Sequence, residues 1–222
     1  MRKLYYYWLC PFSRKIRILL LEKKLPFELV IIKPWENNSS FLPLNPEGLP
    51  PVLTDDDGKN IANAYAITEY LEEVYFEPSF LGKTSALRAE VRRLAAWFDE
   101  KFNGEVTHNL VYEKVLKRKM GQGGPDSGVI RIGNANIHDH LEYISWLSDR
   151  RKWLAGDEFS LADISAAAHL SCIDYLGDVP WEKHSVAKLW YARVKSRPSF
   201  RDILAEVVPG ISSPAHYSDL DF

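Results

Sequence analysis

Between Lys3 and Ile32 the chain passes from an aromatic run, KLYYYW, through one helical stretch, SRKIRILLLEKK, into a β-branched run, FELVII. A strand, a helix and a strand in that order should leave the two strands parallel, because a whole crossover element separates them. The helix repeats apolar residues at Ile16, Leu19 and Leu20, less regularly at Ile18 and Leu21, with basic residues on its remaining face. A third apolar run, PPVLTD, ends in the turn signal DDDG, and NAYAITEYLEEVY offers Ala64, Ile67, Tyr70, Leu71 and Val74 as the buried side of another helix.

From Thr84 onward the pattern is helical. LRAEVRRLAAWFDEKF places Leu87, Val91, Leu94 and Phe98 on one face, a spacing that needs a partner helix. MGQGGPDSG is a loop on composition, IHDHLEYISWLSDRRKWLAG resumes the helix with a stop at Gly156, and VAKLWYARVKS is closed by Pro198. Before that last helix, FSLADISAAAHLSCIDYL begins with Ser160 and Asp163 as a capping box and Phe159 with Ile164 as its staple. The expected architecture is an α/β domain over residues 1–77, a linker over 78–84 and an all-helical domain over 85–222 that ends in an irregular tail.

With 222 residues, 46% of them hydrophobic, the chain can bury a sizeable core. A formal net charge of -2 gives no global reason to bind nucleic acid or an acidic surface. Two cysteines are too few for a secreted disulfide framework, and no apolar run approaches membrane-spanning length, so a soluble cytoplasmic protein with no membrane partner is expected.

Cys10 stands where a strand hands over to a helix, close to the unpaired N–H groups of the first turn, which favour a thiolate. Pro11 suits the helix entry, Ser13 can cap or donate to a nearby sulfur, and Arg14, Lys15 and Arg17 add positive field. With no second thiol nearby, Cys10 could attack an external disulfide or hold a small thiol; the competing reading is a small buried hydrophobe, and Cys172 is read as core. His138 and His140 lack the spacing of a metal site, so no metal is expected. Asn37 meets a glycosylation pattern but has no secretory signal before it, and the basic patch KRK at Lys117 is read as a solvated helix end. Trp35, set between Pro34 and Glu36, is either folded back onto the α/β core or exposed as a contact residue.

Several separated pieces resemble the cytosolic glutathione S-transferase superfamily: CPFSRKIRI its first active-site turn, NPEGLPPVL its cis-proline loop, AITEYLEE its third helix, FSLADI its helical-domain capping box and WYARVKSRPSF its closing signature. The resemblance implies a thioredoxin-like N-terminal domain followed by an all-α domain, and a homodimer with Phe41 or its neighbours at the contact. It places catalytic roles on Cys10 and Ser13 and glutathione contacts on Cys10, Lys33, Pro50, Pro51, Asn63 and Ala64. It also puts Trp97 and Tyr112 around a small electrophile. Two positions depart from the family pattern. Pro50, before the cis-proline Pro51, has no N–H to give a ligand, and Asn63-Ala64 stands where the family usually has Glu-Ser.

Three readings of function follow. In the first, glutathione-dependent transfer or thiol chemistry acts on a small electrophile. The second rests on a further resemblance, in EKKLPFEL, KPWE and the acidic tail, to bacterial glutathione-transferase-like proteins of cell division that bind filaments of the tubulin-like division GTPase; it makes the chain a non-catalytic dimeric adaptor, with Trp35, Asp219, Asp221 and Phe222 as partner-binding residues. A structural paralogue with another ligand is the third. The tail, VVPGISSPAHYSDLDF, places Tyr217, Leu220 and Phe222 among carboxylates, so it is either docked on its own chain or offered to a partner.

Overall fold

Four strands, β1 (Arg2–Tyr6), β2 (Phe27–Ile31), β3 (Val52–Thr54) and β4 (Asn60–Ala62), form one sheet in the order β2-β1-β3-β4 in a computed structural model that describes residues 1–36 and 38–220. β1 and β2 are parallel with Leu4 opposite Leu29, as the helix between them requires. β3 runs antiparallel to β1 on its other side, with Leu4 opposite Leu53, and β4 pairs antiparallel with β3. Two helices belong to this half, α1 (Pro11–Glu22) and α2 (Ala64–Val74).

The second half is helical throughout. α3 (Ser85–Ala96), capped by Thr84, continues through Trp97–Leu116 with wider, π-type turns and closes in the single turn α4 (Lys117–Lys119). α5 (Ser127–Ser148) packs against that long helix, with Gly133 allowing the close approach of Leu110. α6 (Leu161–Tyr175) is buried along its entire length, and its run Ala166, Ala167, Ala168 lets neighbouring helices come near. α7 (Ser185–Lys195) and the short α8 (Arg201–Leu204), separated by the turn at Pro198, complete the fold. This is the expected class, a thioredoxin-like mixed α/β half followed by an all-α half.

Ser160 and Asp163 form the expected capping box, and Asp163 also accepts the Leu154 N–H at 3.0 Å and the Trp190 indole N–H at 2.9 Å. Its complete burial still pushes that carboxyl above the usual range.

Several expectations are corrected by tertiary packing. The basic residues of α1 expected to add positive field beside Cys10, Arg14, Lys15 and Arg17, are all buried, because α1 is sandwiched between the sheet half and the helical half, and each cation meets a carboxylate of the latter. Lys15 pairs with Asp99 at 2.5 Å, Arg14 with Glu206 at 3.0 Å and Arg17 with Glu206 at 2.7 Å. On α2 the buried side includes Thr68 and Glu72 whereas Val74 is exposed. Glu72 faces inward because it pairs with buried Lys23 at 2.9 Å and accepts the Phe80 N–H at 3.1 Å. In the connecting stretch Phe80 and Leu81 are buried, the Pro78 carbonyl accepts from Lys23 at 2.8 Å and the Phe80 carbonyl accepts the Leu161 N–H at 2.9 Å. The helix expected to end at Gly156 stops at Ser148 instead, since Trp153 and Gly156 exchange backbone hydrogen bonds in a tight turn. Phe41 is buried against Tyr5, Ile32 and Val52, which leaves its loop neighbours for the expected subunit contact. Asn37 lies outside the described residues.

Candidate functional site: a cavity beside Cys10

β1 delivers the chain to a turn in which Leu9 adopts a φ of 56° and the Cys10 N–H returns to the Tyr7 carbonyl at 3.3 Å. This places Cys10 at the N-cap of α1, with Pro11 in the first turn, as its sequence position suggests. The side chain opens on a cavity of about 240 Å³ between the two halves, walled by Tyr7, Phe12, Pro50, Thr107, Tyr112 and Met120 among others.

The first-turn N–H groups of Phe12 and Ser13 do favour the Cys10 thiolate, and so do the Ser13 hydroxyl and the Arg14 charge, but burial outweighs them and pushes the thiol up. The expected activation is therefore reversed. Arg14, whose positive field was to assist it, is neutralised by Glu206 and donates to Ser171 Oγ at 2.9 Å and Tyr217 OH at 3.2 Å. The thiol itself lies 3.9 Å from the Pro50 carbonyl oxygen, an acceptor it can donate to. Ser13 is buried and makes no capping hydrogen bond, that position belonging to Cys10.

The Pro50–Pro51 peptide is cis, and Pro50 contributes no N–H to the cavity wall. Asn63 caps α2, its Oδ1 accepting the Tyr65 N–H at 2.8 Å, while Ala64 is buried and brings no hydroxyl. Ala64 and Tyr65 line a different cavity, of about 250 Å³, together with Lys15, Arg92 and Asp99. Lys33 is paired with Glu36 at 2.7 Å and lines a third concavity, of about 340 Å³. Of the residues expected to hold one ligand, Cys10 with Pro50, Lys33, and Ala64 thus line three different concavities.

Of the two residues expected around an electrophile, Tyr112 lines the Cys10 cavity and Trp97 does not. Trp97 points to the opposite side of its helix, donating to His140 Nδ1 at 3.1 Å and packing on Tyr143. Trp35 is folded back: its ring meets Tyr7 edge-on at 5.1 Å, and the Lys119 ammonium lies 5.0 Å from its centroid. In the tail, Tyr217 is buried against Tyr175, its hydroxyl donating to the Ile203 carbonyl at 3.1 Å, and Lys195 donates to the backbone oxygens of His216 and Asp219. The described part of the tail is therefore docked on its own chain, with Asp219 and Leu220 exposed; Asp221 and Phe222 lie outside the described residues.

Two further features belong to the site. Thr107 lines the cavity and shares a hydrogen bond with His169 Nδ1 at 2.9 Å, and the far nitrogen of that imidazole stands 3.5 Å from Asp99. Burial lowers the pKa of His169, whereas Lys15 and His169 keep Asp99 below the usual carboxylate range against the effect of its own burial. The second feature is the Tyr7 hydroxyl, buried at the cavity wall without a hydrogen-bond partner among the described residues and pushed well above its ordinary pKa by that burial. Among the described residues no group of His, Cys, Asp and Glu could hold a metal ion, and no helix is long and apolar enough to cross a membrane.

Residues 9–74 match the glutathione S-transferase N-terminal domain and residues 140–198 the glutathione S-transferase C-terminal domain. Over 224 aligned residues the chain is 48% identical to FtsZ-localized protein A of Caulobacter vibrioides, covering 100% of this chain and 98% of that one. It is 31% identical to maleylacetoacetate isomerase of Pseudomonas aeruginosa over 182 residues, 79% of this chain and 82% of the relative. Among solved structures, a glutathione S-transferase from Rhodospirillum rubrum F11 superposes with a TM-score of 0.98 at 61% identity, covering 100% of both chains. FzlA from C. crescentus superposes with a TM-score of 0.95 at 48% identity, covering 100% of this chain and 99% of that one. Matched in both halves and aligned end to end with such relatives, the chain belongs to the glutathione S-transferase family and is closely related to FtsZ-localized protein A.

Proposed function

We propose that this protein is a non-catalytic, homodimeric adaptor that binds filaments of FtsZ, the bacterial tubulin-like cell-division GTPase, in the cytoplasm. The observation that carries the reading is the 48% identity, end to end, to FtsZ-localized protein A. The site supports it from the other side. A thiol raised by burial is a poor nucleophile at neutral pH. The missing Pro50 N–H and Ala64 hydroxyl each remove a contact worth about 1–3 kcal/mol to a peptide-like thiol ligand. Trp35 and the tail from Asp219 to Phe222 are the residues assigned to the filament. The test is co-pelleting with polymerised FtsZ: the parent protein should sediment with filaments, and Trp35→Ala, Asp219→Lys and Asp221→Lys should each reduce the bound fraction. No pelleting by the parent protein would end this reading.

A second reading, glutathione-dependent transfer at Cys10 to a small electrophile, is favoured by the cavity beside that thiol and by the 61% identity to a glutathione S-transferase. Calorimetric titration with reduced glutathione decides it. Binding at low millimolar strength or better supports transfer chemistry, and silence at tens of millimolar removes it.

A further inference from the structure

Resting on the adaptor reading, we propose that Lys195 and His216 are positioning residues for filament binding: they clamp the backbone of residues 216–219 onto α6 and α7, so that Asp219 and Leu220 meet the filament already ordered. The tail would otherwise wander. Pro209, Gly210 and Pro214 keep it out of regular structure, and the short turn Ala215–Tyr217 follows them. Its first part is pinned by Tyr175, whose hydroxyl accepts the Val208 N–H at 2.9 Å and donates to the Ile211 carbonyl at 3.0 Å. Tyr217 then packs its ring edge-on against Tyr175, an aromatic contact of the kind that core packing selects.

Lys195 differs in kind. It lies on α7 with no exposed surface, and burying an ammonium costs the fold stability that an alkyl side chain in its place would not. Its donors go to the main-chain carbonyls of His216, at 3.0 Å, and of Asp219. These carbonyls belong to the two ends of the turn that the Asp219 N–H closes on the His216 carbonyl at 3.2 Å. A charge-assisted grip on carbonyls fixes the backbone whatever side chains it carries. From the other side, His216 Nε2–H donates at 3.0 Å to Asp174 Oδ1, a fully buried carboxylate of α6 that also accepts the Trp181 indole N–H at 2.8 Å. The His216 ring is itself only half-buried, so this contact anchors the turn without filling the core. Asp219 and Leu220 are exposed at the end of the clamped turn. A carboxylate and an apolar side chain held in place lose little freedom on binding, whereas the same pair on a loose terminus must be ordered at that moment.

The experiment compares the full-length parent with Lys195→Met, Lys195→Arg and His216→Ala by residue-resolved hydrogen exchange and by co-pelleting with FtsZ filaments. In Lys195→Met and His216→Ala the Tyr217 and Asp219 amides should exchange about tenfold faster or more while those of α6 keep their protection, and filament affinity should fall about tenfold. Lys195→Arg, which keeps a cation and its donors, should retain most of both. His216→Ala, at a half-exposed position, carries the test if Lys195→Met fails to fold. Parent-like exchange in both clamp variants overturns the proposal. So do equal losses in Lys195→Met and Lys195→Arg with none in His216→Ala, which would assign the effect to packing around α7. Parent protein that sediments, matched by a variant whose tail exchanges faster, overturns the clamp alone. Parent protein that does not sediment overturns the adaptor reading, and the clamp's role with it.

Discussion

Arg14 in the first helix and Tyr217 near the end of the chain are joined by a hydrogen bond of 3.2 Å across 203 residues of sequence. The same guanidinium holds Ser171 of α6 and Glu206 after α8, so one buried cation ties the start of the fold to its finish. Tyr217→Phe should remove the hydrogen bond at a cost of about 1 kcal/mol, and Tyr217→Ala should cost about 3 kcal/mol by opening a cavity against Tyr175. Glu206→Gln leaves two buried guanidinium groups short of a counter-charge and should cost about 3–5 kcal/mol. Urea unfolding of the three variants checks the order; a Glu206 variant as stable as the parent would contradict the buried ion pairs.

The two thiols should separate by rate and by pH. Cys172 is fully buried and pushed up to about 12, so it should resist alkylation in the folded protein. Cys10 is half-buried and should react first. Because its thiol is raised by burial, its rate should still be climbing as pH passes 9.0. A plateau below neutrality would mean a stabilised thiolate and would revive the catalytic reading of this residue.

Acid should find a specific weak point at Glu90. Hydrogen bonds from Arg93 and then Arg151 hold this carboxyl down to about 2 against an ordinary 4.5. A depressed folded pKa means that the stabilisation is fully present above the unfolded value and is lost as pH falls from about 4.5 through about 2. Glu90→Gln should therefore be less stable than the parent at neutral pH, by on the order of 1–2 kcal/mol with partial exposure allowed for. The difference should vanish near pH 2. Melting curves across that range check it, and a gap independent of pH would assign the effect to packing.

Assembly is accessible to sedimentation. The adaptor reading requires a species near twice the 25.5 kDa chain mass at micromolar concentration. A single species at the chain mass, unchanged on concentration, would remove the homodimer and the bivalency that filament binding would use.

Periodicity sufficed for most of the architecture. Ile16, Leu19 and Leu20 named the core side of α1, and Ser160 with Asp163 named the start of α6, because both signals are local. β4 went unrecognised: Asn60, Ile61 and Ala62 are too few and too exposed to show alternation. Arg14, Lys15 and Arg17 read as a positive field beside Cys10 because their partners, Asp99 and Glu206, stand far along the chain. The site was legible in part. The position of Cys10 and the cis-proline followed from sequence, but its thiol shift depends on how deeply the second half covers it. Trp97 and Tyr112 looked equivalent on one helix; only the wider winding of Trp97–Leu116 decides which of them faces the cavity.

The pairing of α1 with distant carboxylates bears on how the chain can be cut. A fragment ending before residue 78 would expose three cations and the apolar side of α1 that α6 covers, with nothing to neutralise the one or bury the other. The α/β half should therefore fail as an autonomous module, and swapping it between relatives should succeed only when the residues at positions 99 and 206 travel with it.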